Sequence, residues 1–268
     1  MTLSNISAVV SDMDGVLWRG DVPLPGLVEF FELLRERNIP FMLATNNSSK
    51  APTDYVAKLA KMGVANIAEG QIITSGTATA GYLRMTYPLH TVIHVLGGDG
   101  LRRVVGDAGF NLSDSEAQVV VVGIDPQLSY DKLKRAALLI RAGADFVGTN
   151  PDTSIPTPEG LAPGAGSILA ALVAATERKP TIIGKPGRPM FEVALAALAT
   201  AAETTLMIGD RLNTDIIGAA QVGMKTALVL TGVAEPGDVD DATVQPDFVF
   251  AGLPELVASW KTTVPPTS

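Results

Sequence analysis

Ala8-Val9-Val10-Ser11-Asp12-Met13-Asp14-Gly15-Val16-Leu17 decides the fold. Its first four residues form a short uncharged run that stops at a carboxylate, which predicts a buried strand over Ala8 to Ser11. Asp14, two residues beyond Asp12, points back into the same pocket if the chain turns, and Gly15 permits that turn. Two carboxylates this close repel each other, and a divalent cation between them relieves the repulsion. A calcium loop of the EF-hand type is excluded, because it would need a polar ligand at Val16 and glycine at Leu17.

Working outward, the same alternation recurs. Leu27, Phe30, Phe31 and Leu34 follow at helical spacing, and Phe41 to Ala44 reads as a strand ending at Thr45. A helix is expected over Thr53 to Met62. Near the C-terminus Leu206 to Ile208 runs into Gly209-Asp210, with a helix from about Thr214 and a strand over Ala227 to Leu230. Phe248 to Phe250 and a helix over Leu253 to Trp260 close the pattern. Apolar strands separated by helices predict an α/β fold, a Rossmann-like parallel sheet covered on both faces. Asp12, Thr45 and Asp210 stand where strands stop, and in such a sheet the C-terminal strand ends form the ligand crevice.

The middle of the chain reads as a second unit. Val92 to Leu96, Val119 to Val122 and Phe146 to Thr149 are strand signals, with helical patterns over Leu101 to Ala108, Tyr130 to Arg141 and Ser167 to Ala175. A Pro- and Gly-rich stretch runs from Pro151 to Gly166. The expected organisation is a core of residues 1–80 and 181–268 with an inserted cap over 81–180. The tail 264–268 is expected to fray.

Composition narrows the function. The 268 residues are 47% hydrophobic and carry a net charge of -8. No Lys/Arg cluster suits a nucleic-acid backbone. An acidic protein handling an anionic substrate must instead supply positive charge locally. With no cysteine, disulfides, thiolate chemistry and Cys-ligated zinc are excluded. The N-terminus lacks the basic region and apolar run of a signal peptide, and Gly, Pro or charge interrupts every apolar stretch. These features set the expectation of a soluble cytoplasmic protein, without nucleic-acid or membrane partners, and a homodimer by base rate.

Three further segments carry chemistry. Thr45-Asn46-Asn47-Ser48-Ser49 offers hydroxyl, amide and backbone donors at a strand-to-helix turn, which suits a phosphate. Gly184-Lys185-Pro186 places one cation on a stiff turn. Gly209-Asp210-Arg211-Leu212-Asn213-Thr214-Asp215 adds two carboxylates at another strand end. Alone, the Thr45 segment reads as a polar turn and helix cap, and a single lysine as solvated surface.

Taken in order, the four segments resemble the haloacid dehalogenase superfamily, whose motifs run Asp-x-Asp, Thr, Lys and Gly-Asp-x-x-x-x-Asp. The wording is closer to its NagD-like and 4-nitrophenylphosphatase branch, through Asp12 to Val16, Thr45 to Ser48, Gly148-Thr149-Asn150-Pro151-Asp152, Pro163-Gly164-Ala165-Gly166, Gly184 to Pro186 and Gly209 to Leu212. The resemblance implies a phosphatase acting on a small phosphorylated metabolite. Asp12 would be the nucleophile and Asp14 the general acid and base. Mg²⁺ would be held by Asp12, the backbone carbonyl of Asp14, and Asp210, with Asp215 in the first shell or just behind it. Thr45 and Asn46 would hold phosphoryl oxygens, and Lys185 would neutralise charge on Asp12 and the phosphoryl group.

A phosphotransferase or mutase could use the same aspartyl-phosphate on Asp12 that the resemblance implies for a phosphatase. A phosphoacceptor switch shares the acidic cluster, Thr and Lys, but its acceptor Asp is not on the first strand and it needs no large insertion. A dehalogenase has no use for the leaving-oxygen protonation that Asp14 supplies, and a protein that only binds phosphate esters could lose Asp12. Gly97-Gly98-Asp99-Gly100 lacks a Walker lysine and dinucleotide spacing, so it reads as a turn. His90 and His94 have no metal-ligand neighbour by spacing. The apolar stripe of Met190 to Ala201 reads as sheet packing. Asp125, Asn150 and Asp152 serve equally as caps or as groups that choose the leaving group.

Overall fold

The computed structural model describes residues 3–47, 50–157 and 159–263. Ser48, Ser49 and the tail 264–268, all named above, lie outside the described residues. The chain opens β1 (Ala8–Ser11), α1 (Leu27–Glu36), β2 (Phe41–Thr45), α2 (Pro52–Lys61), β3 (Ile72–Thr74) and α3 (Ser75–Thr86). It continues β4 (Val92–Leu96), α4 (Asp99–Asp107), β5 (Asn111–Leu112), β6 (Val119–Val122), α5 (Tyr130–Arg141), β7 (Asp145–Gly148), α6 (Ala165–Thr176) and β8 (Thr181–Ile182). It ends α7 (Arg188–Leu198), β9 (Thr205–Gly209), α8 (Ile217–Gln221), β10 (Lys225–Val229), α9 (Pro236–Asp240), β11 (Phe248–Phe250) and α10 (Leu253–Lys261). Among the described residues no helix is long and apolar enough to cross a membrane.

Two compact units result. The first comprises the described residues of Met1–Thr45, Lys50–Ile73 and Phe191–Ser268, the second those of Asn46–Ser49 and Thr74–Met190. The sheet of the first runs β11-β10-β9-β1-β2-β3, with parallel pairing from β11 to β2. Every residue of β1 and β9 is buried, as strands covered on both faces require. α1 supplies part of that cover, burying Leu27, Phe30, Phe31, Leu33 and Leu34. Phe31 meets Phe30 and Phe41 edge to face at centroid distances of 5.5 and 5.2 Å. From β1 the chain steps to β2 and β3 on one side, then returns to β9 on the other. The strand order therefore reverses between β1 and β9, and the crevice of a parallel sheet opens at such a point.

The second unit repeats the device. Its sheet runs β8-β7-β6-β4-β5, all parallel. Its own core includes Leu96, Val120, Val122, Ala136, Ile140, Phe146, Leu169 and Leu172. Here the chain goes from β4 to β5, then reverses to β6, so a second switch point lies between β4 and β6.

Three local features differ from expectation. The Pro- and Gly-rich stretch contains a hairpin, Ser154–Thr157 against Gly160–Pro163, because an edge ribbon tolerates proline. The helix expected from Thr214 opens instead as a wide five-residue turn over Leu212–Ile216 before α8. α7 begins two residues before Met190 and stops at Leu198, where Ala199 takes a left-handed φ of 51°.

Phe31→Ala should destabilise the first unit by about 3–5 kcal/mol, the usual cost of emptying an aromatic site in a closed core. Urea unfolding followed by circular dichroism measures it, and a loss under about 1 kcal/mol would mean that this site collapses freely.

Candidate active site

The site grows from the end of β1. The Asp12 backbone N–H donates to Ile208 O at 2.8 Å, which carries the β1–β9 register past the last strand residue. Asp12 is left 9% exposed at the sheet edge. The chain then folds back on itself: Leu17 N–H donates to Met13 O at 2.8 Å and Gly15 N–H to Trp18 O at 2.7 Å. Gly15 sits at φ +85°, and a Cβ there would come within 2.7 Å of Asp210 Cγ, so glycine is needed for both backbone and space. This turn leaves Asp14 exposed.

Asp210 follows β9 as Asp12 follows β1. It is 2% exposed, and Oδ2 accepts the Val233 N–H at 2.9 Å. Oδ1 is buried and has no hydrogen-bond partner among the described residues. Asp215 enters from the wide turn. Its N–H donates to Arg211 O at 3.1 Å, and its Oδ2 accepts the Arg211 N–H at 3.2 Å. Glycine at 209 leaves room for it, since a Cβ there would strike the Asp215 side chain.

Carboxylate oxygens of Asp12, Asp210 and Asp215 all lie within 4.8 Å of one another. Burial pushes the Asp210 carboxyl up to about 7, and the charges of Asp12 and Asp215 push the same way, against the Val233 N–H and Arg211. An all-oxygen set of this density, with a buried oxygen that no protein donor satisfies, fits a hard divalent cation such as Mg²⁺. The cluster therefore includes the Asp215 side chain. Asp14, expected to offer its backbone carbonyl to the metal, contributes no side chain to it.

Thr45 closes β2 in the same unit. Tyr55, buried on α2, shares a hydrogen bond with Thr45 and stacks on Trp18 at 6.4 Å. Burial raises its hydroxyl to about 12; the Thr45 bond opposes the shift and the charges of Asp14 and Asp12 add to it. Sequence reasoning passed over Tyr55, whose only signal was its place on the buried stripe of α2 with Leu59.

Asn46 and Lys185 belong to the second unit. Asn46 Nδ2 donates to Lys185 O at 2.8 Å and to Asp152 Oδ1 at 3.3 Å, so both amide hydrogens are engaged. The Asn46 backbone carbonyl accepts from Ser75 Oγ at 2.8 Å and from Asn150 Nδ2 at 3.1 Å. Lys185, 3% exposed, sits on a turn closed by Gly187 N–H to Gly184 O at 2.8 Å and Gly184 N–H to Thr149 O at 2.8 Å. Asn150 and Asp152 thus fix the Asn46 loop. Asp125 accepts the Gln127 N–H at 2.9 Å and Lys132 Nζ at 2.8 Å.

Residues 9–111 match the family described as haloacid dehalogenase-like hydrolase, and residues 182–256 a second, HAD-hydrolase-like one. An acid sugar phosphatase of Staphylococcus saprophyticus is 36% identical over 95% of this chain and 98% of its own. The solved 4-nitrophenylphosphatase of Thermotoga maritima is 39% identical with a TM-score of 0.87, covering 96% of this chain and 98% of that one. NagD of E. coli K-12 is 32% identical, with a TM-score of 0.87 over 95% and 98%. With its acidic cluster at the first switch point, the chain belongs to the haloacid dehalogenase-like hydrolase family, in its NagD-like phosphatase branch.

Proposed function

We propose that this phosphatase hydrolyses small phosphomonoesters with Mg²⁺, through an aspartyl-phosphate on Asp12. The observation that carries the reading is the cluster of Asp12, Asp210 and Asp215 at the β1/β9 switch point. A sugar phosphate, nucleotide or aryl phosphate is the substrate class, in line with relatives named for sugar phosphate and nitrophenyl phosphate hydrolysis.

An Asp12 carboxylate oxygen attacks phosphorus and the bond from phosphorus to the leaving oxygen breaks. Asp14 gives that oxygen its proton, so an alcohol departs. Asp14, now a carboxylate, takes a proton from water as the water oxygen attacks phosphorus, and the Asp12–phosphate bond breaks to release phosphate. An exposed carboxyl suits this role because it exchanges protons with solvent. Bound Mg²⁺, held by Asp12, Asp210 and the backbone carbonyl of Asp14 with Asp215 beside them, would neutralise charge on the phosphoryl oxygens. Thr45 holds a phosphoryl oxygen by its hydroxyl. Asn46 does so through its backbone N–H, since its amide hydrogens are engaged. Lys185 supplies the compensating cation; motif order supports these last two assignments. Residues 81–180 choose the leaving group, supported by the separate core of that stretch.

Asp12→Asn should lower kcat by at least about 10³-fold with the fold intact by circular dichroism, as expected when a nucleophile is lost. Phosphate release from 4-nitrophenyl phosphate with Mg²⁺ checks it, and activity within about tenfold of wild type would remove Asp12 as nucleophile.

The raised Asp210 carboxyl sets a pH dependence. Without metal the folded state holds this proton more tightly than the unfolded chain, so stability falls as pH rises from the ordinary carboxylate range through about 7. Asp210→Asn should therefore raise the metal-free Tm more at pH 8 than at pH 5. A metal must displace the same proton, so wild-type affinity for Mg²⁺ should climb by up to about tenfold per pH unit below 7 and then level off. Thermal melts and calorimetry in both buffers decide it, and an equal Tm change at the two pH values would contradict the burial of that charge.

Exchanging residues 81–180 with those of a relative should move the substrate ranking and leave Mg²⁺ dependence unchanged. If a kcat/KM panel kept the parent's ranking, specificity would belong to the rest of the chain.

A further inference from the structure

The second switch point, between β4 and β6, opens into a cavity of about 620 Å³ lined only by residues of the second unit. Its floor is the end of β4, His94 to Leu96, and the glycine turn Gly97-Gly98 that leads into α4. The loop after β6 forms the facing wall with Asp125, Pro126 and Gln127. The two loops are tied across the crevice, Gly98 N–H to Ile124 O and Gly123 N–H to Leu96 O, both at 2.9 Å, so the pocket is built without a ligand.

The cavity's charges sort into spent and unspent groups. Asp125 is held by Lys132, Asp131 pairs with Lys134 at 3.0 Å, and Asp114 lies 3.3 Å from His94 and 3.5 Å from Arg102. Arg102 also donates to Val95 O at 3.0 Å. Two lining groups of opposite sign have no ion pair or hydrogen bond among the described residues: Asp99 in the first turn of α4, and Arg135 on α5. His94 is 5% exposed; its Nδ1 meets Ser113 O at 3.1 Å, and Nε2 has no hydrogen-bond partner among the described residues. Burial lowers the basicity of His94, and Arg102 and Arg135 both add to that against Ser113 and Asp114, so positive potential from two helices converges on this wall.

We propose that this crevice is a second ligand site, for a phosphorylated polyol of sugar phosphate or nucleotide size. Arg135 receives the phosphate as a charge-assisted pair, and Arg102 adds positive potential to the same wall. Asp99 accepts from hydroxyls, as a carboxylate beside a strand end does with a ribose diol. Val95, Leu96 and Pro126 supply the apolar wall, and the volume lies in the range of small-molecule sites. The site requires neither Asp12 nor a metal, so it stands apart from the hydrolytic reading.

The test is a titration of the full chain with AMP in EDTA, followed by amide chemical shifts assigned to residues. Expected are saturable shifts at Gly97, Gly98 and Gly123 with a dissociation constant below about 1 mM. Arg135→Ala and Asp99→Ala should each weaken these shifts about tenfold, with Arg135→Lys restoring part of the loss. Both positions are exposed and bear no hydrogen bond or ion pair among the described residues, so neither variant threatens the fold. Inorganic phosphate alone should reproduce the Arg135-dependent part and be indifferent to Asp99→Ala. Shifts confined to residues 12–15 and 209–211, no saturation at these glycines, or equal affinity in the variants would overturn the proposal.

Discussion

Three carboxylates with oxygens within 4.8 Å of one another must be held together against their own repulsion, and the first unit is arranged around that constraint. Adjacency of β1 and β9 brings Asp12 and Asp210 to one edge, and the register that sets Ser11 opposite Ile208 fixes their level. Glycine at 15 and 209 lets backbone and side chains crowd the acids, and the Val233 N–H takes one oxygen of Asp210. These supports do not offset burial and the neighbouring charges, which push the Asp210 carboxyl up. A hard cation completes what the protein leaves undone.

The constraint also separates the acids by task. A carboxylate sealed among others is suited to hold a cation and unsuited to trade protons with solvent, because its charge is costly to create and slow to reach. Asp14, two residues from Asp12 yet exposed, is open to water and to a leaving group. The turn at Gly15 makes this division, leaving Asp12 buried and Asp14 exposed. A straight extension of β1 would have put both on one face at equal exposure.

How much of this the sequence revealed depended on the length and monotony of each signal. Val119–Val122 and Tyr130–Arg141 stand where the pattern put them, because an uninterrupted apolar run and a long amphipathic stretch admit few readings. The two-residue strands Asn111–Leu112 and Thr181–Ile182 carry no period at all. α3, Ser-Gly-Thr-Ala-Thr-Ala-Gly-Tyr-Leu-Arg-Met-Thr, has little helix propensity and no clear apolar stripe; the Thr74 side chain accepting from the Thr77 N–H starts it. At the site, the order Asp12, Asp14, Thr45, Lys185, Asp210 was legible as a motif string. Asp215 closed the same string, but the wide turn over Leu212–Ile216 that carries it in was not legible, since four-residue helical spacing does not foretell it. Nor was the Tyr55 hydroxyl beside Thr45, because a tyrosine on a buried stripe reads as core.

The chain uses one topological device twice and gives the two crevices different chemistry. In both sheets the first strand lies inside the sheet, the next goes to one side, and the chain later returns to the other. Backbone geometry then opens a gap at the strand ends whether or not a ligand is needed. What fills the gap is a matter of side chains. Between β1 and β9 the strand-end residues are acids with an unsatisfied buried oxygen, a surplus of negative charge that calls for a cation. Between β4 and β6 three lining acids are paired with Lys132, Lys134 and Arg102, and Arg135 has no ion pair among the described residues. A gap with a single unpaired acid among its described residues has no call for a metal. Its unspent guanidinium and its unspent Asp99 together describe a ligand that carries an anion at one end and hydroxyls at the other.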